Sequence, residues 1–198
     1  TALAGQDFER AAQLIETAFE SMYTHAETAR VFTWLQALPR ELVRSRPRLS
    51  IIKAHALVTL FRLRDAERCL EDVERAVPLP ETGSHGKSET SRILGEVAVL
   101  RSAIAILENQ PQRGIELYQR ALELLPADQR FLHGLISLGL GMAYMATGDL
   151  KAARLALARA MPSYNNTANP LLDYLARHWL AEVEIVEGNL RVAAQALK

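Results

Sequence analysis

"LGLGMAYMATGDLKAARLALARA", residues 138–160, is the stretch on which the fold turns. Gly141, Tyr144 and Gly148 are followed at fixed steps by Ala153, Leu157 and Ala160. Small residues at Gly141 and Ala153 suit two helices of a hairpin that cross with their backbones close together. Tyr144 and Leu157 fill the volume beside such a crossing, and Gly148 permits the turn between the helices. The same ruler recurs. Gly148, Ala153, Leu157 and Ala160 align with Asn109, Gly114, Tyr118 and Ala121, and with Phe61, Ala66, Leu70 and Val73. Gly188, Ala193 and Leu197 follow it downstream, and Gln6, Ala11, Ile15 and Ala18 near the start. Pro78 and Pro126 share one offset just past a helix end, where a residue without an N–H ends a helix at little cost.

Helical periodicity in Ala-, Leu-, Glu- and Arg-rich stretches fills nearly the whole chain, and alternating β-branched runs are absent, so the expected fold is all-α. Turns are predicted near residues 61–63, 109–111, 148 and 188. From Asn109 to Gly148 is 39 residues and from Gly148 to Gly188 is 40. The expected architecture is a right-handed superhelix of antiparallel helix pairs. Its repeats of 39–40 residues exceed the roughly 34 of a tetratricopeptide repeat, so the first helix of each pair should be the longer one. Residues 1–198 read as a single repeat domain. Neither end resembles a polar capping repeat, which leads to the expectation of a piece of a longer protein.

Composition narrows the function classes. Hydrophobic residues make up 49% and charged residues 23%, as in an ordinary protein with a packed core. Lys plus Arg and Asp plus Glu are both 23, so the net charge is zero. A free-standing nucleic-acid binder carries a basic excess, so direct nucleic-acid binding is not expected. No apolar run reaches the roughly 18 residues of a membrane span, and no secretory signal opens the sequence. Cys69 is the sole cysteine, so no disulfide can form within the chain. The expectation is a cytoplasmic protein with no membrane contact.

Residues 28–60, "TARVFTWLQALPRELVRSRPRLSIIKAHALVTL", interrupt the repeats. Their signature is Trp34-Leu35, Leu38-Pro39, then Arg46-Pro47 and Leu49. Pro39 should end one short helix, and Pro47 suits the first turn of the next because its φ is already helical. With the Ala4–Ala12 opening and the later Ala121-Leu122-x-Leu124-Leu125-Pro126, this phrase resembles the superhelical, tetratricopeptide-like repeat domain of MalT-type, LuxR-family ATP-dependent transcriptional regulators of bacteria. The resemblance covers essentially the whole chain. In that family a nucleotide-binding module precedes the repeats and a helix-turn-helix follows them. The resemblance implies a domain that receives an inducer or a regulatory protein and controls self-association in the full-length protein. ATP is expected only in the separate module, so no cofactor and no catalysis are expected here.

Other motifs give no chemistry. "ETGSHGKS", residues 81–88, ends like a phosphate-binding loop, but it begins with Glu81 instead of glycine and follows "AVPLP" instead of a strand. It reads as a loop, which also explains the longer interval from Phe61 to Asn109. The five histidines (His25, His55, His85, His133, His178) show no metal-ligand spacing. Nothing like G-x-S-x-G supports a nucleophile. Cys69, one residue before the apolar ruler position Leu70, reads as a buried or half-buried, inert thiol. "RELVRSRPR", residues 40–48, reads as a solvated connection; its sharper reading is a contact with an acidic surface or with phosphates.

In solenoids of helix pairs the first helices line the concave side, which is the usual binding face. On the ruler that face passes through Arg48, Ile51, His55 and Thr59, then Glu96, Val99 and Ala103, then Leu135, Leu138 and Met142. It ends with Leu175, His178 and Glu182. The candidate effector- or partner-binding residues are therefore Arg48, His55, Glu96, His178 and Glu182 as polar contacts, with Leu138 and Met142 as the apolar wall. Few aromatics fall on this face, so a sugar is not the default ligand. A plain protein-interaction scaffold without a small ligand is the alternative.

Overall fold

The computed structural model describes residues 5, 7–24, 27–77, 89–164 and 170–197, with side chains for all of these except 20–24, 162–164, 170 and 171. Among the described residues every regular element is a helix: α1 (Phe8–Thr24), α2 (Thr28–Ala37), α3 (Arg40–Ser45), α4 (Pro47–Thr59), α5 (Leu63–Ala76), α6 (Glu89–Leu107), α7 (Pro111–Leu124), α8 (Arg130–Thr147), α9 (Leu150–Tyr164), α10 (Pro170–Val186) and α11 (Leu190–Ala196). Pro39 precedes α3 and Pro47 opens α4, as their fixed φ favours. The loop at 81–88 lies outside the described residues, as do Pro78, His25 and His85.

Four hairpins, α4/α5, α6/α7, α8/α9 and α10/α11, turn where the ruler places them. Phe61, Asn109, Gly148 and Gly188 all adopt left-handed φ, at 56°, 60°, 82° and 83°. Each turn closes with the same two hydrogen bonds. The Gly148 N–H donates to the Met145 carbonyl (3.0 Å) and the Asp149 N–H to the Tyr144 carbonyl (2.9 Å). At Phe61 the corresponding pair is Phe61 N–H to Val58 (3.0 Å) and Arg62 N–H to Leu57 (2.8 Å). This paired closure satisfies the orphan carbonyls of a helix end and requires one left-handed residue. Asp149 then opens α9 by accepting from the Ala152 N–H at 3.0 Å.

The ruler residues are the buried seam of the second helices: Ala66, Leu70 and Val73 on α5, Tyr118 and Ala121 on α7, Ala153, Leu157 and Ala160 on α9. Leu197, the last position of the ruler, is exposed. At the crossing of α8 and α9, a Cβ on Gly141 would lie 2.5 Å from Leu157 Cγ. The close approach is therefore a side chain seated on a glycine backbone. The first helices are longer than their partners, with 19, 18 and 17 residues in α6, α8 and α10 against 14 and 15 in α7 and α9. The first of them, α4, is shorter at 13 residues.

The core is a series of apolar clusters that share helices. One joins α1, α2, α3 and α4, and the next joins α4, α5 and α6. The third joins α6, α7 and α8, and the fourth joins α8, α9 and α10. The first helices α4, α6 and α8 therefore pack on both sides. That explains why α6 is buried nearly all round, from Ser91 to Ala105, whereas α5 buries only a narrow stripe. Arginines tie two of the outer helices to the next inner one: Arg101 on α6 reaches Glu67 (2.8 Å) and Glu74 (2.6 Å) of α5, and Arg154 on α9 reaches Glu184 of α10 (2.8 Å).

Candidate functional site

Consecutive first helices touch in the order α4–α6–α8–α10, and α1 contacts both α4 and α10. Five helices therefore close a ring, with α5, α7, α9 and α11 carried outside it. Inside the ring lies a cleft of about 330 Å³, within the range of small-ligand sites. Four successive hairpins line it. His55, Val58 and Thr59 come from α4, Val99, Leu100 and Ala103 from α6, Leu135, Leu138 and Met142 from α8, and Leu172 and Leu175 from α10. These are one face of each helix, because residues three and four apart share a side. The wall is overwhelmingly apolar.

Two aromatic rings that the face register did not include, Phe61 and Tyr118, also reach the cleft. Phe61 is the left-handed turn residue and is 74% exposed, so its ring stands at the mouth. Leu60 and Leu107 are exposed apolar neighbours of that rim. Tyr118 belongs to the outer helix α7 but passes inward over Gly139, where a Cβ would lie 2.1 Å from the Tyr118 hydroxyl. Gly139 is what lets a buried ring of an outer helix form part of the inner wall. The sequence signal was present, a glycine on α8 outside the ruler, but only the packing of α7 on α8 pairs it with Tyr118.

Of the sequence-predicted residues, His55, Leu138 and Met142 line the cleft directly. His55 is buried, with the Phe19 ring of α1 at 5.3 Å centroid to centroid. Burial, assisted by the nearby Arg48 charge, pushes its imidazole down to about 4, so it is neutral at physiological pH. Arg48 and Glu96 lie toward the N-terminal halves of their helices and meet each other, Arg48 Nη1 to Glu96 Oε1 at 3.4 Å. Arg92 also reaches Glu96, at 2.9 Å, and pairs with Glu89, whose carboxyl it holds below its ordinary range. This chain of charges links α4 to α6 with a buried carboxylate at its centre. His178 does not line the cleft. It stacks on Tyr174 (5.9 Å, 13°) and meets the edge of Trp179 (5.7 Å). Glu182 lies a turn further along α10, half-buried and also away from the lining.

The site thus has an apolar interior, one neutral histidine and a fixed ion-pair chain beside it. No helix of the described residues is long and apolar enough to cross a membrane, and no group of three metal-ligating side chains occurs among them. Such hairpins, stacked with their first helices inward, define a tetratricopeptide-like repeat domain. Within that class the chain belongs to the MalT-like TPR region family, whose model matches residues 95–198. It is 26% identical over 200 residues to the HTH-type transcriptional regulator MalT of Serratia proteamaculans (strain 568), an alignment covering 97% of this chain. The chain spans about a fifth (21%) of that relative's length. Two solved structures share the fold at 14% identity: MamA 41-end from Desulfovibrio magneticus RS-1 and the MamA RS-1 ArsTM double mutant. Each has a TM-score of 0.51, covering 94% of this chain and 90% of its own.

Proposed function

We propose that this chain is the effector-receiving and self-association domain of a bacterial ATP-dependent transcription regulator, working in the cytoplasm by binding and without catalysis. Nucleotide hydrolysis and DNA reading belong in this proposal to other parts of the full-length protein. One observation carries it: a single apolar cleft is lined by four successive hairpins. A ligand there touches every first helix of the ring, so its affinity depends on how the hairpins are rotated against each other. Only a differential affinity for two arrangements can shift an equilibrium between them. Because the first helices form a closed ring, a rotation at one interface is passed on to the others. That change would expose or cover a surface for self-association. His55, Leu138 and Met142 are the proposed direct contacts. Arg48 and Glu96 set the spacing of α4 and α6, and His178 and Glu182 serve a ligand long enough to extend along α10.

The exposed Phe61, Leu60 and Leu107 at the rim favour a second reading, in which a regulatory protein inserts an apolar helix into the same cleft. A thermal-shift screen of metabolites on the purified chain, followed by titration of hits against Ala103→Phe, tests the first. Ala103 is a half-buried cleft residue, so the added ring fills the cavity. Loss of binding with retained helicity is the expected result. A hit that binds Ala103→Phe at wild-type strength would place the ligand elsewhere.

A further inference from the structure

A second cleft, of about 540 Å³, lies away from the inner face, between the interrupting helices and the first hairpin. Its floor is a stripe of α4, Ser50, Lys53 and Leu57, and α3 closes one end with Arg40, Val43 and Arg44. One wall is α2, through Phe32, Leu35 and Gln36; the other is Arg62 with α5, through Asp65, Arg68, Cys69 and Asp72. Five cationic side chains and two carboxylates therefore face one recess, in a chain whose net charge is zero.

The carboxylates organise the rim. Asp65 accepts from Arg62 Nε and Nη2 at 2.9 and 2.6 Å and lies 3.5 Å from Arg68 Nη1. Asp72 holds Arg44 at 3.2 Å and Arg75 at 2.6 Å. The Arg62 guanidinium also sits over the Phe32 ring, 5.4 Å from its centroid. Lys53 and Arg40 have no carboxylate within ion-pair distance among the described residues. Lys53 is half-buried on the floor, and a carboxylate that feels its charge, Asp65, is already held by Arg62. Burial raises the Cys69 thiol above its ordinary value, so this cysteine adds no thiolate to offset the charge. The recess is short of negative charge.

We propose that this cleft binds a phosphorylated small molecule, with its phosphate on Lys53 and Arg40 and its organic part against Phe32, Leu35 and Leu57. A phosphate monoester carries about −1.5 to −2 charge and three acceptor oxygens, which matches two cations with no ion-pair partner among the described residues, flanked by fixed guanidinium forks. The recess has the volume of a small-molecule site, and its outer arginines are already engaged by Asp65 and Asp72. That combination favours a compact dianion over an acidic polypeptide laid along the surface.

Calorimetric titration of the purified chain at low salt with AMP, inorganic pyrophosphate and adenosine tests this. AMP and pyrophosphate should bind saturably and adenosine should not, since the phosphate supplies the charge. Arg40→Gln, on an exposed side chain, and Lys53→Met should each weaken AMP binding about tenfold or more, the loss of one charge-assisted contact, with unchanged thermal unfolding. Arg113→Gln, on exposed α7 surface, should bind as wild type. Three outcomes overturn the proposal: no saturable binding of AMP or pyrophosphate at millimolar concentration, equal weakening by Arg113→Gln, or tighter binding of a glutamate-rich peptide than of AMP. If Lys53→Met unfolds, Arg40→Gln alone decides. The inner cleft lies on a different face, so the outcome here leaves that reading standing or falling by its own test.

Discussion

Gly141→Leu puts the hairpin ruler under direct test. A Cβ at this position would lie 2.5 Å from Leu157 Cγ and 2.6 Å from Cδ2, and the rest of a leucine would extend further into the same space. Leu157 has no exposed surface and is enclosed by a cluster that includes Ala153 and Ala160, so it cannot swing out to solvent. Overpacking of this kind costs about 1–3 kcal/mol. Replacing a mid-helix glycine returns about 0.8–1 kcal/mol of helix propensity. The steric term wins, because leucine adds atoms well beyond the Cβ that already collides, and the net loss should be about 1–2 kcal/mol. For a chain of this size that lowers the melting midpoint by roughly 2–8 °C. A double-mutant cycle gives the sharper measurement. Leu157→Ala alone should cost about 2–5 kcal/mol by leaving a cavity, but on the Gly141→Leu background the new leucine fills that cavity. The two changes should therefore couple favourably by at least about 1 kcal/mol, outside the ~0.5 kcal/mol scatter of independent sites. Denaturant unfolding of the four proteins measures it. An unchanged midpoint for Gly141→Leu, or an additive cycle, would refute the packing of α8 on α9 described here.

The glycine seven residues later should respond for a different reason. A Cβ on Gly148 meets nothing within 4 Å, so only its φ of 82° matters, and Gly148→Ala should cost about 1 kcal/mol. Gly148→Asn should cost less, because Asn109 holds the same turn position in the preceding hairpin; equal losses for both in thermal unfolding would count against a conformational origin. For His55 the folded imidazole titrates at about 4 against 6.5 for the unfolded chain, so between these values the unfolded state binds more protons. Stability contributed by this group is complete above pH 6.5 and is lost as pH falls toward 4, by up to about 3 kcal/mol. His55→Leu should flatten the change in unfolding free energy between pH 7 and 5; a slope equal to wild type would show that His55 is not the buried titrating group.

The repeating seam was legible because it obeys a local rule. The residues that let two helices cross and turn recur at fixed offsets, so Phe61 and Asn109 could be placed at turns although neither is glycine. The inner face was legible for the same reason: once the turns are placed, helical periodicity assigns His55, Leu138 and Met142 to one side. Tyr118 and Phe61 entered the cleft by another route. Tyr118 lies on the outer helix, and its inward path depends on the missing side chain of Gly139 across the interface. The ruler makes Phe61 a turn residue, and a turn position alone does not say where an exposed ring points. Register puts His178 on the same face, but Tyr174 and Trp179 on its own helix engage its ring. The basic recess was hardest to read. It draws on α2, α3 and α5, and the charge run at 40–48 contributes only part of it; Lys53, Arg62 and Arg68 are brought to it by the first hairpin.

Closure of the ring changes what the inner cleft can do. In an open stack, each hairpin can rotate on its neighbour without consequence for the others, and a ligand between two repeats reports only on those two. Here α1 touches both α4 and α10, so the first helices form a cycle. A rotation at one interface must be taken up at the rest. The outer side resists that adjustment unevenly, because Arg101 ties α5 to α6 and Arg154 ties α9 to α10, whereas no ion pair among the described residues joins α7 to α8. The α7–α8 interface is held by packing, with Tyr118 seated on Gly139 and forming part of the cleft wall. Under the proposed function, a ligand pressing on that wall would act on the interface without an ionic tie, and the closed ring would carry the displacement to α1 and α10.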